Sequence, residues 1–444
     1  MTAPDPPAYL SLMNALALEL NAALDGTVAG RLLSSLGKRL YFPKGIIAQS
    51  AEAKKLAHKA NATIGMAYEG GRPLILSAIA DGMPTLSAAE AVTYAPTAGV
   101  EQARTAWRDA MVKKNPSIDP AKMSLPVVVP GLTAGITYVA DLFLDEGGTI
   151  LLSDPCWDNY GLIFGDRTGA NIVEIPFFGS GHGLNVTDGI RTAMKAAAKS
   201  GAVRIVLNFP QNPSGYSVTS AEAEALFSLI REIAEGGADV LVVCDDAYFG
   251  LNYENDIYPE SLFGRLASLH ERVLAVKIDG PTKEDYVWGL RMGFVTFGSA
   301  GLGEAAYEAL VKKLMGAIRS SVSCANTPAQ YLMLKTMADP RTESEKAHNR
   351  ALLQKRYETV KAFLAQNPAH PKLTPLPFNS GYFMSFRCAS GGAEAIRQTL
   401  LKDHGIGTIA LGDKYLRVAF ASVDADRLTE IYRTIYEVAA TFAK

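Results

Sequence analysis

The chain of 444 residues lacks the features that mark several classes of protein. Its formal net charge is only −2, so charge gives no reason to expect nucleic acid or an anionic membrane as a partner. Its longest apolar stretches fall far short of the ~20 residues that a membrane-spanning helix needs. The N-terminus, Met1 to Pro7, has neither the basic region nor the apolar core of a signal peptide. We therefore predict a soluble, cytoplasmic protein.

Cysteine and histidine are also scarce and dispersed. No Cys-x-x-Cys and no close pair of cysteine with histidine occurs, which predicts reduced thiols and argues against a zinc site. The cysteines are Cys156, Cys244, Cys324 and Cys388. The sequence therefore predicts no bound metal.

Short β-branched runs alternate with helical patterns in the middle of the chain. Each run is continuously apolar, which is typical of parallel strands buried on both faces. The runs are Val127–Val129, Thr149–Leu152, Asn171–Ile175, Arg204–Leu207, Val240–Cys244, Arg272–Ile278 and Gly293–Phe297. The helical patterns between them include Gly131–Leu144, Gly189–Lys199 and Ser220–Glu235. The order predicts an α/β fold with a mostly parallel seven-stranded sheet between helices.

Both ends of the chain lie outside this pattern. We expect N-terminal helices at Ala8–Leu24, Gly30–Leu36 and Ala51–Lys59. Near the other end we expect a long helix at Ser344–Leu364 and strands at Gly381–Phe386 and Tyr415–Ala419. We predict three parts: an N-terminal arm with part of a small α+β domain (1–75), a large domain (76–335) and the rest of the small domain (336–444).

Polar motifs stand at the ends of several predicted strands, where sheets of this kind bind ligands. Asp245 and Tyr248 follow one strand, Asn212 follows another, and Lys283 lies in the turn after a third. Arg291 opens the last strand. A lysine can form a Schiff base with an aldehyde, and a carboxylate, an amide, a phenol and an arginine are what a pyridoxal phosphate ring needs around it. Each fragment alone is weak evidence, but their order and placement together are strong.

With these motifs the chain resembles the pyridoxal-phosphate-dependent enzymes of fold type I, specifically the class I/II aminotransferases of the aspartate aminotransferase kind. The resemblance covers roughly residues 60 to 420 and includes the spacing of eight between Lys283 and Arg291. It implies transfer of an amino group between an L-amino acid, dicarboxylic or aromatic, and a 2-oxo acid such as 2-oxoglutarate. It also implies a homodimer whose subunits share their active sites.

The resemblance assigns roles around the cofactor ring. Lys283 matches the lysine that binds the cofactor aldehyde and then moves the substrate's Cα proton. Asp245, which begins an Asp-x-Ala-Tyr motif, matches the aspartate that keeps the pyridine nitrogen protonated; a lone aspartate there would otherwise be a turn residue. Tyr248 and Asn212 would hydrogen-bond the phenolic oxygen. Trp157 would stack on the ring, although it could also be a core tryptophan.

The phosphate needs backbone N–H groups at a helix start and a cation. Gly131, Leu132 and Thr133 match the family's glycine turn, and Arg291 would supply the cation. One position departs from the family, because Gly280 stands three residues before Lys283, where these enzymes usually carry a serine. We expect Thr282 to take over that hydrogen bond.

Other residues match the substrate side and the partner subunit. Arg417 matches the arginine that binds the α-carboxylate, and Gly65 lies in a segment that lines the substrate. Arg319 resembles the arginine that binds a side-chain carboxylate from the partner subunit; otherwise it is a surface or interface residue. Tyr94 matches a tyrosine that reaches the partner's phosphate.

Two alternatives remain open. The same cofactor and fold support lyases, such as C–S β-lyases and decarboxylases, because the bond that breaks depends on its alignment with the ring. Some transcriptional regulators place a DNA-reading module in front of this fold. The first 60 residues of the chain are helical in pattern but not notably basic.

Overall fold

The computed structural model describes residues 14–25, 27, 33, 35–40, 45–179 and 183–442. The predicted helices Ala8–Leu24 and Gly30–Leu36 therefore lie partly outside the described residues. The predicted helix at Ala51–Lys59 is shifted, because the structure has it at Ile46–Leu56. No helix among the described residues is long and apolar enough to cross a membrane.

A seven-stranded sheet forms the centre of the molecule. Its strands are β1 (Val127–Val129), β2 (Thr149–Asp154), β3 (Asn171–Pro176), β4 (Ala202–Asn208), β5 (Asp239–Asp245), β6 (Val273–Asp279) and β7 (Gly293–Gly298). The order across the sheet is β1-β7-β6-β5-β4-β2-β3. Only β7 runs antiparallel to its neighbours. The predicted mostly parallel, seven-stranded α/β sheet is confirmed.

Side chains of one strand enter two separate cores. In β5, Leu241 and Val243 belong to one cluster of buried residues, whereas Val240, Val242 and Cys244 belong to another. Successive side chains of a strand point to opposite faces of the sheet, so both faces of β5 are covered. This double burial explains why the strand is a continuous apolar run.

Helices cover the sheet and extend to both chain ends. The α-helices are Ala15–Leu24, Ser35–Arg39, Ile46–Leu56, Ser77–Gly82, Ala88–Val92, Glu101–Lys114, Leu132–Phe143, Arg191–Ala198, Ser220–Glu235, Leu262–Leu266, Pro281–Glu284, Glu304–Ser321, Thr327–Ala338, Thr342–Gln366, Ala393–His404 and Ala425–Ala440. Shorter or wider turns lie at Met83–Thr85, Pro120–Lys122, Gly161–Arg167, Val186–Ile190, Trp288–Leu290 and Phe420–Ser422. The predicted helix Ser220–Glu235 has these bounds because Thr219 and Glu222 form a reciprocal capping box at its start.

A second, antiparallel sheet lies near the C-terminus. Its strands are β8 (Leu373–Pro375), β9 (Met384–Cys388), β10 (Ile409–Leu411) and β11 (Tyr415–Val418), in the order β8-β9-β11-β10. The strand predicted from Gly381 begins only at Met384. Gly381 has a φ of 71° and donates its N–H to Leu251 O at 2.8 Å, so the chain turns there instead of pairing.

The N-terminal segment packs on this second sheet. Ala60–Asn61 pairs in parallel with Ile406–Gly407, and Tyr68–Glu69 pairs with Arg72–Pro73. Gln49 is hydrogen-bonded to both the N–H and the C=O of Ala410. The contacts with Ile406–Gly407 and Ala410 join the N-terminal segment to the C-terminal part of the chain. The division of the chain at 75/76 and 335/336 stays a prediction.

Candidate active site

The strand ends bring the polar motifs to one edge of the central sheet. Asn208, Asp245 and Asp279 are the last residues of β4, β5 and β6. Because β7 is antiparallel, its beginning lies at the same edge and carries Arg291 there. A cavity of about 360 Å³ opens at this edge. Most of the predicted site residues line it, namely Gly65, Leu132, Thr133, Trp157, Asn212, Asp245, Tyr248, Thr282, Lys283, Arg291 and Arg417.

Lys283 lies in this cavity, and its pKa is lowered there. Loss of hydration on burial lowers its pKa to about 8; the nearby carboxylate of Asp245 raises this pKa, and the cation of Arg291 lowers it further. Its ammonium group lies 5.0 Å from the centre of the Tyr248 ring. The Tyr382 hydroxyl donates to the Lys283 carbonyl at 3.0 Å and so fixes its backbone. A lysine held this way can lose its proton near neutral pH.

Asp245 is buried at the end of β5 and receives two hydrogen bonds. The Tyr160 hydroxyl donates to its Oδ2 at 2.5 Å, and the N–H of Ala247 donates to its Oδ1 at 3.2 Å. Burial raises the pKa of Asp245, whereas the bond from Tyr160 and the charge of Lys283 lower it. Tyr160 has no role in the sequence-based assignment. Its position three residues after Trp157, in the same motif, is the signal that could have identified it.

Arg417 is also buried in the wall of the cavity, where its side chain is held by three contacts. Its Nη1 donates to Asn212 Oδ1 at 2.9 Å, and its Nη2 donates to Thr63 O at 3.1 Å. Its guanidinium carbon lies 4.3 Å from the centre of the Phe383 ring. Its Nε is buried and has no acceptor among the described residues. Because the Asn212 oxygen already accepts from Arg417, the amide nitrogen of Asn212 is the group left to donate to a ligand.

The turn before the helix Leu132–Phe143 lets a neighbouring side chain lie close to the backbone. Gly131 has a φ of 92°, and a Cβ at this position would lie 2.6 Å from Arg291 Nη2. The guanidinium of Arg291 therefore lies against Gly131, the residue that directly precedes this helix, although Gly131 itself does not line the cavity. Such a combination of a helix N-terminus and a cation favours an anionic group.

The structure explains the glycine at position 280. A Cβ on Gly280 would lie 2.9 Å from the Cα of Gly293 in β7, so a serine does not fit there without movement of the backbone. The hydroxyl of Thr282 donates to Met292 O at 3.1 Å. To donate to a phosphate instead, this hydroxyl would have to leave that acceptor, and the expected replacement of the serine by Thr282 stays a prediction.

Two predicted residues lie away from the cavity of their own subunit. Tyr94 is 90% exposed. Arg319 is exposed in the last turn of the helix Glu304–Ser321. Neither lines the cavity, and both were predicted to serve a partner subunit.

Further residues line the cavity that were not predicted as site residues. They are Ile46, Ile64, Met66, Ile136, Asn208, Ala247, Trp288 and Phe383. Most are apolar and so carry no chemical signature in a sequence. Asn208 and Trp288 are the exceptions, and the indole N–H of Trp288 is buried and has no acceptor among the described residues.

These residues fit pyridoxal phosphate. An amine of lowered pKa lies near a buried carboxylate, and an indole lines the cavity beside them. The cradle of Gly131 and Arg291 suits a phosphate. Among the described residues no group of three or more His, Cys, Asp or Glu side chains could hold a metal ion. The fold and the site define a pyridoxal-phosphate-dependent enzyme of fold type I.

Comparison with known proteins identifies the family. The family model "Aminotransferase class I and II" matches residues 66–435. The chain therefore belongs to the class I and II aminotransferases, and it is an aminotransferase that uses pyridoxal phosphate. The resemblance stated from the sequence is confirmed, and so are the predicted cofactor and enzyme class.

Individual relatives are distant. A probable aspartate/prephenate aminotransferase of Aquifex aeolicus (strain VF5) is 26% identical over 358 residues, which cover 77% of this chain and 82% of the relative. An aspartate aminotransferase of Bacillus subtilis (strain 168) is 23% identical over 304 residues, 68% of this chain and 69% of the relative.

Solved structures have the same fold. An aminotransferase from Anaerococcus prevotii DSM 20548 matches with a TM-score of 0.79 and 21% identity, over 90% of this chain and 97% of that one. The aspartate aminotransferase of Thermus thermophilus with maleate matches with a TM-score of 0.73 and 19% identity, over 92% of this chain and 99% of that one.

Proposed function

We propose that this aminotransferase moves an amino group between an L-amino acid, dicarboxylic or aromatic, and a 2-oxo acid such as 2-oxoglutarate. The observation that carries the proposal is that Lys283 and Arg417 line one cavity and that the buried Nε of Arg417 has no acceptor among the residues that the structure describes. A guanidinium can bind a carboxylate with two parallel hydrogen bonds. The names of two relatives, an aspartate/prephenate and an aspartate aminotransferase, support this substrate class.

Lys283 is proposed to move the proton at the substrate's Cα. An amine must be uncharged to accept a proton, and a pKa of about 8 leaves roughly a tenth of Lys283 uncharged at pH 7. An unperturbed lysine would be uncharged in fewer than about one molecule in a thousand. The burial of Lys283 therefore increases the active form by about two orders of magnitude.

Asp245 is proposed to hold a proton on the ring nitrogen of the cofactor. Pyridoxal phosphate, when bound, draws electrons away from the bonds of the substrate's Cα, and a protonated ring nitrogen strengthens this effect. Asp245 must be ionised to hold that proton, and the hydrogen bond from Tyr160 favours the ionised form. Tyr248 and Asn212 are proposed to hydrogen-bond the phenolic oxygen of the cofactor. Trp157 is proposed to stack on its ring.

The remaining contacts are proposed on the phosphate and the substrate. The N–H groups of Gly131, Leu132 and Thr133, with the Arg291 guanidinium, would hold the phosphate, because the helix N-terminus and the cation both favour an anion. Gly65 would lie beside the substrate, since its segment adjoins the Thr63 carbonyl that accepts from Arg417.

We further propose a homodimer with shared active sites. Tyr94 is almost fully exposed and Val92, two residues before it, is 82% exposed, so both side chains are accessible to a partner subunit. In this proposal Tyr94 reaches the partner's phosphate and Arg319 reads a side-chain carboxylate in the partner's site. Light scattering should give twice the mass of the 47.4 kDa chain. In a dimer that borrows this residue, Tyr94→Phe should weaken cofactor binding while the mass stays unchanged.

The location proposed for the enzyme is the cytoplasm. All four cysteines are unpaired, as is usual where the thiols of a cell are kept reduced.

The decisive experiment is a screen of amino donors. The holoenzyme is incubated with single amino acids and 2-oxoglutarate, and the products are analysed. Formation of glutamate from aspartate or from an aromatic amino acid supports the proposal. Release of pyruvate or ammonia without glutamate would instead identify a lyase.

A pair of variants tests the dicarboxylic branch. Arg319→Ala should raise the KM for aspartate and leave that for phenylalanine unchanged, because only aspartate has a side-chain carboxylate. Lys312→Ala is the matched control, since Lys312 is an exposed cation of the same helix. Equal turnover of aspartate by both variants would show that Arg319 does not bind the side-chain carboxylate of the substrate.

A further inference from the structure

A lysine is fully buried directly behind the active site. Lys277, in β6, has 0% exposure and forms ion pairs with Asp246 and Asp279, the latter at 3.2 Å. Its Nζ also lies 4.9 Å from the centre of the Phe249 ring. We call Asp246, Lys277 and Asp279 the buried triad. None of its members lines the active-site cavity.

The buried triad lies on the far side of the sheet from the cavity. Val273 and Ala275 precede Lys277 on the same face of β6, and both belong to the core cluster opposite the one that contains Tyr248. The triad therefore does not touch the cofactor or the substrate, and any effect on catalysis must pass through other residues.

Each carboxylate of the triad adjoins a segment that delivers an active-site group. Asp246 follows Asp245 in the chain, and Asp279 precedes the turn Gly280–Lys283. The ammonium group of Lys277 thus ties the end of β5 to the end of β6, beyond the last paired residues Asp245 and Ile278.

Neighbouring elements hold the two carboxylates in turn. The Ser261 hydroxyl donates to Asp246 Oδ2 at 2.5 Å, and the Trp107 indole N–H donates to Asp279 Oδ1 at 3.0 Å. The turn that follows Asp279 is tightly packed, because Gly280 lies close to the backbone of Gly293. A shift of Asp279 would therefore move Lys283.

Stability alone does not account for three buried charges at this place. Burying charged groups costs hydration, and well-packed apolar residues in place of a buried ion pair are often equally stable or more stable. Position 277 faces an apolar core, in which an apolar side chain could be buried without the cost of removing a charge from water. We infer that Lys277 is a positioning residue, which through Asp246 and Asp279 fixes Asp245 and Lys283 relative to each other. The inference rests on the proposed roles of Asp245 and Lys283.

The test replaces the buried triad by uncharged residues of similar size. In Asp246→Asn/Lys277→Met/Asp279→Asn no buried charge is left without a partner, so the fold should persist. We expect the apparent dissociation constant of the apoenzyme for pyridoxal phosphate to rise by about tenfold or more, because small displacements of positioned groups carry penalties of this size. The rate of borohydride-trappable attachment to Lys283 should fall in parallel.

A second charged cluster supplies the matched control. Arg397 has a side chain 3% exposed and pairs with Glu52 at 2.9 Å and Glu394 at 2.8 Å, and none of these three residues lines the cavity. The variant Glu52→Gln/Glu394→Gln/Arg397→Met should change the melting temperature and leave pyridoxal phosphate binding unchanged. If the buried-triad variant behaves in the same way, Lys277 is only structural and the inference is wrong.

Two further measurements separate the possible failures. If the triple variant does not fold, Asp279→Asn alone keeps the pair of Lys277 with Asp246 and should weaken pyridoxal phosphate binding by about threefold. Unchanged binding in a folded Asp279→Asn protein would contradict the inference. The proposed role of Lys283 is tested independently, because it fails if borohydride still fixes the cofactor to Lys283→Ala, whatever the triad variants do.

Discussion

Replacing Lys283 by methionine should make the apoenzyme more stable at neutral pH. The folded protein lowers the pKa of Lys283 from its ordinary 10.5 to about 8, chiefly because burial removes hydration from the ammonium group. Below pH 8 the lysine is protonated in both the folded and the unfolded chain, and the folded state bears the full cost of the shift. A shift of about 2.5 units corresponds to about 3 kcal/mol.

The sign of the pH dependence follows from the two pKa values. Between pH 8 and 10.5 the folded protein has released the proton and the unfolded chain still binds it, so raising the pH stabilises the wild type. Above pH 10.5 neither state binds the proton, and the cost disappears. The advantage of Lys283→Met should therefore be complete below pH 8 and absent above pH 10.5.

Thermal unfolding of the cofactor-free proteins measures this effect. For a chain of this length about 3 kcal/mol corresponds to a rise in Tm of roughly 3–4 °C at pH 7. Lys312→Met, which removes a lysine with 72% side-chain exposure, is the control and should show no such pH-dependent gain. A gain for Lys283→Met that is missing at pH 7, or that persists at pH 11, would refute the argument from burial.

Three further substitutions test individual contacts. Gly280→Ser should lower Tm and the affinity for the cofactor, because the serine Cβ would lie against the Cα of Gly293. Overpacking of this kind costs about 1–3 kcal/mol, and an unchanged Tm would contradict the prediction. Tyr160→Phe should raise the pKa of Asp245 and reduce kcat by about tenfold, because a hydrogen bond to a charged group is worth about 1.5 kcal/mol. Measurements of kcat at pH 6 and 8 test this prediction. An unaltered kcat would contradict the role of Tyr160 in keeping Asp245 ionised. Arg417→Lys should raise KM for the amino donor more than it lowers kcat, because a lysine cannot form the two parallel bonds; equal KM values would exclude Arg417 as the carboxylate site.

The sequence predicted the central sheet because the physical cause of its pattern is local. Strands buried on both faces must be apolar at every position, and β5 shows this with Val240 to Cys244 in alternate cores. The second sheet was harder to predict. Its strand β9 begins at Met384, three residues later than predicted, because Gly381 bonds to Leu251 from a distant part of the chain. Contacts of that range have no periodic signature in a sequence.

The candidate site was predictable where a residue type carries its own chemistry. The cavity is lined, as the order of the motifs indicated, by Asp245, Lys283, Arg291 and Arg417. The apolar lining could not be predicted, and Ile46 is the clearest case. It lies before the residues that the family model matches, and it reaches the cavity through the packing of its helix on the second sheet.

The two consecutive aspartates at the end of β5 show how one structural rule assigns different roles to identical side chains. Alternation along the strand turns Asp245 toward the face that contains Tyr160 and the cavity, while Asp246 meets Lys277 on the other face. Exchange of their roles would require a register shift of one residue, which would also exchange the two cores beneath them. Asp245, the first residue of the Asp-x-Ala-Tyr motif, therefore faces the cavity for a geometric reason. Asp246 is left to a network in which its charge is already compensated by Lys277.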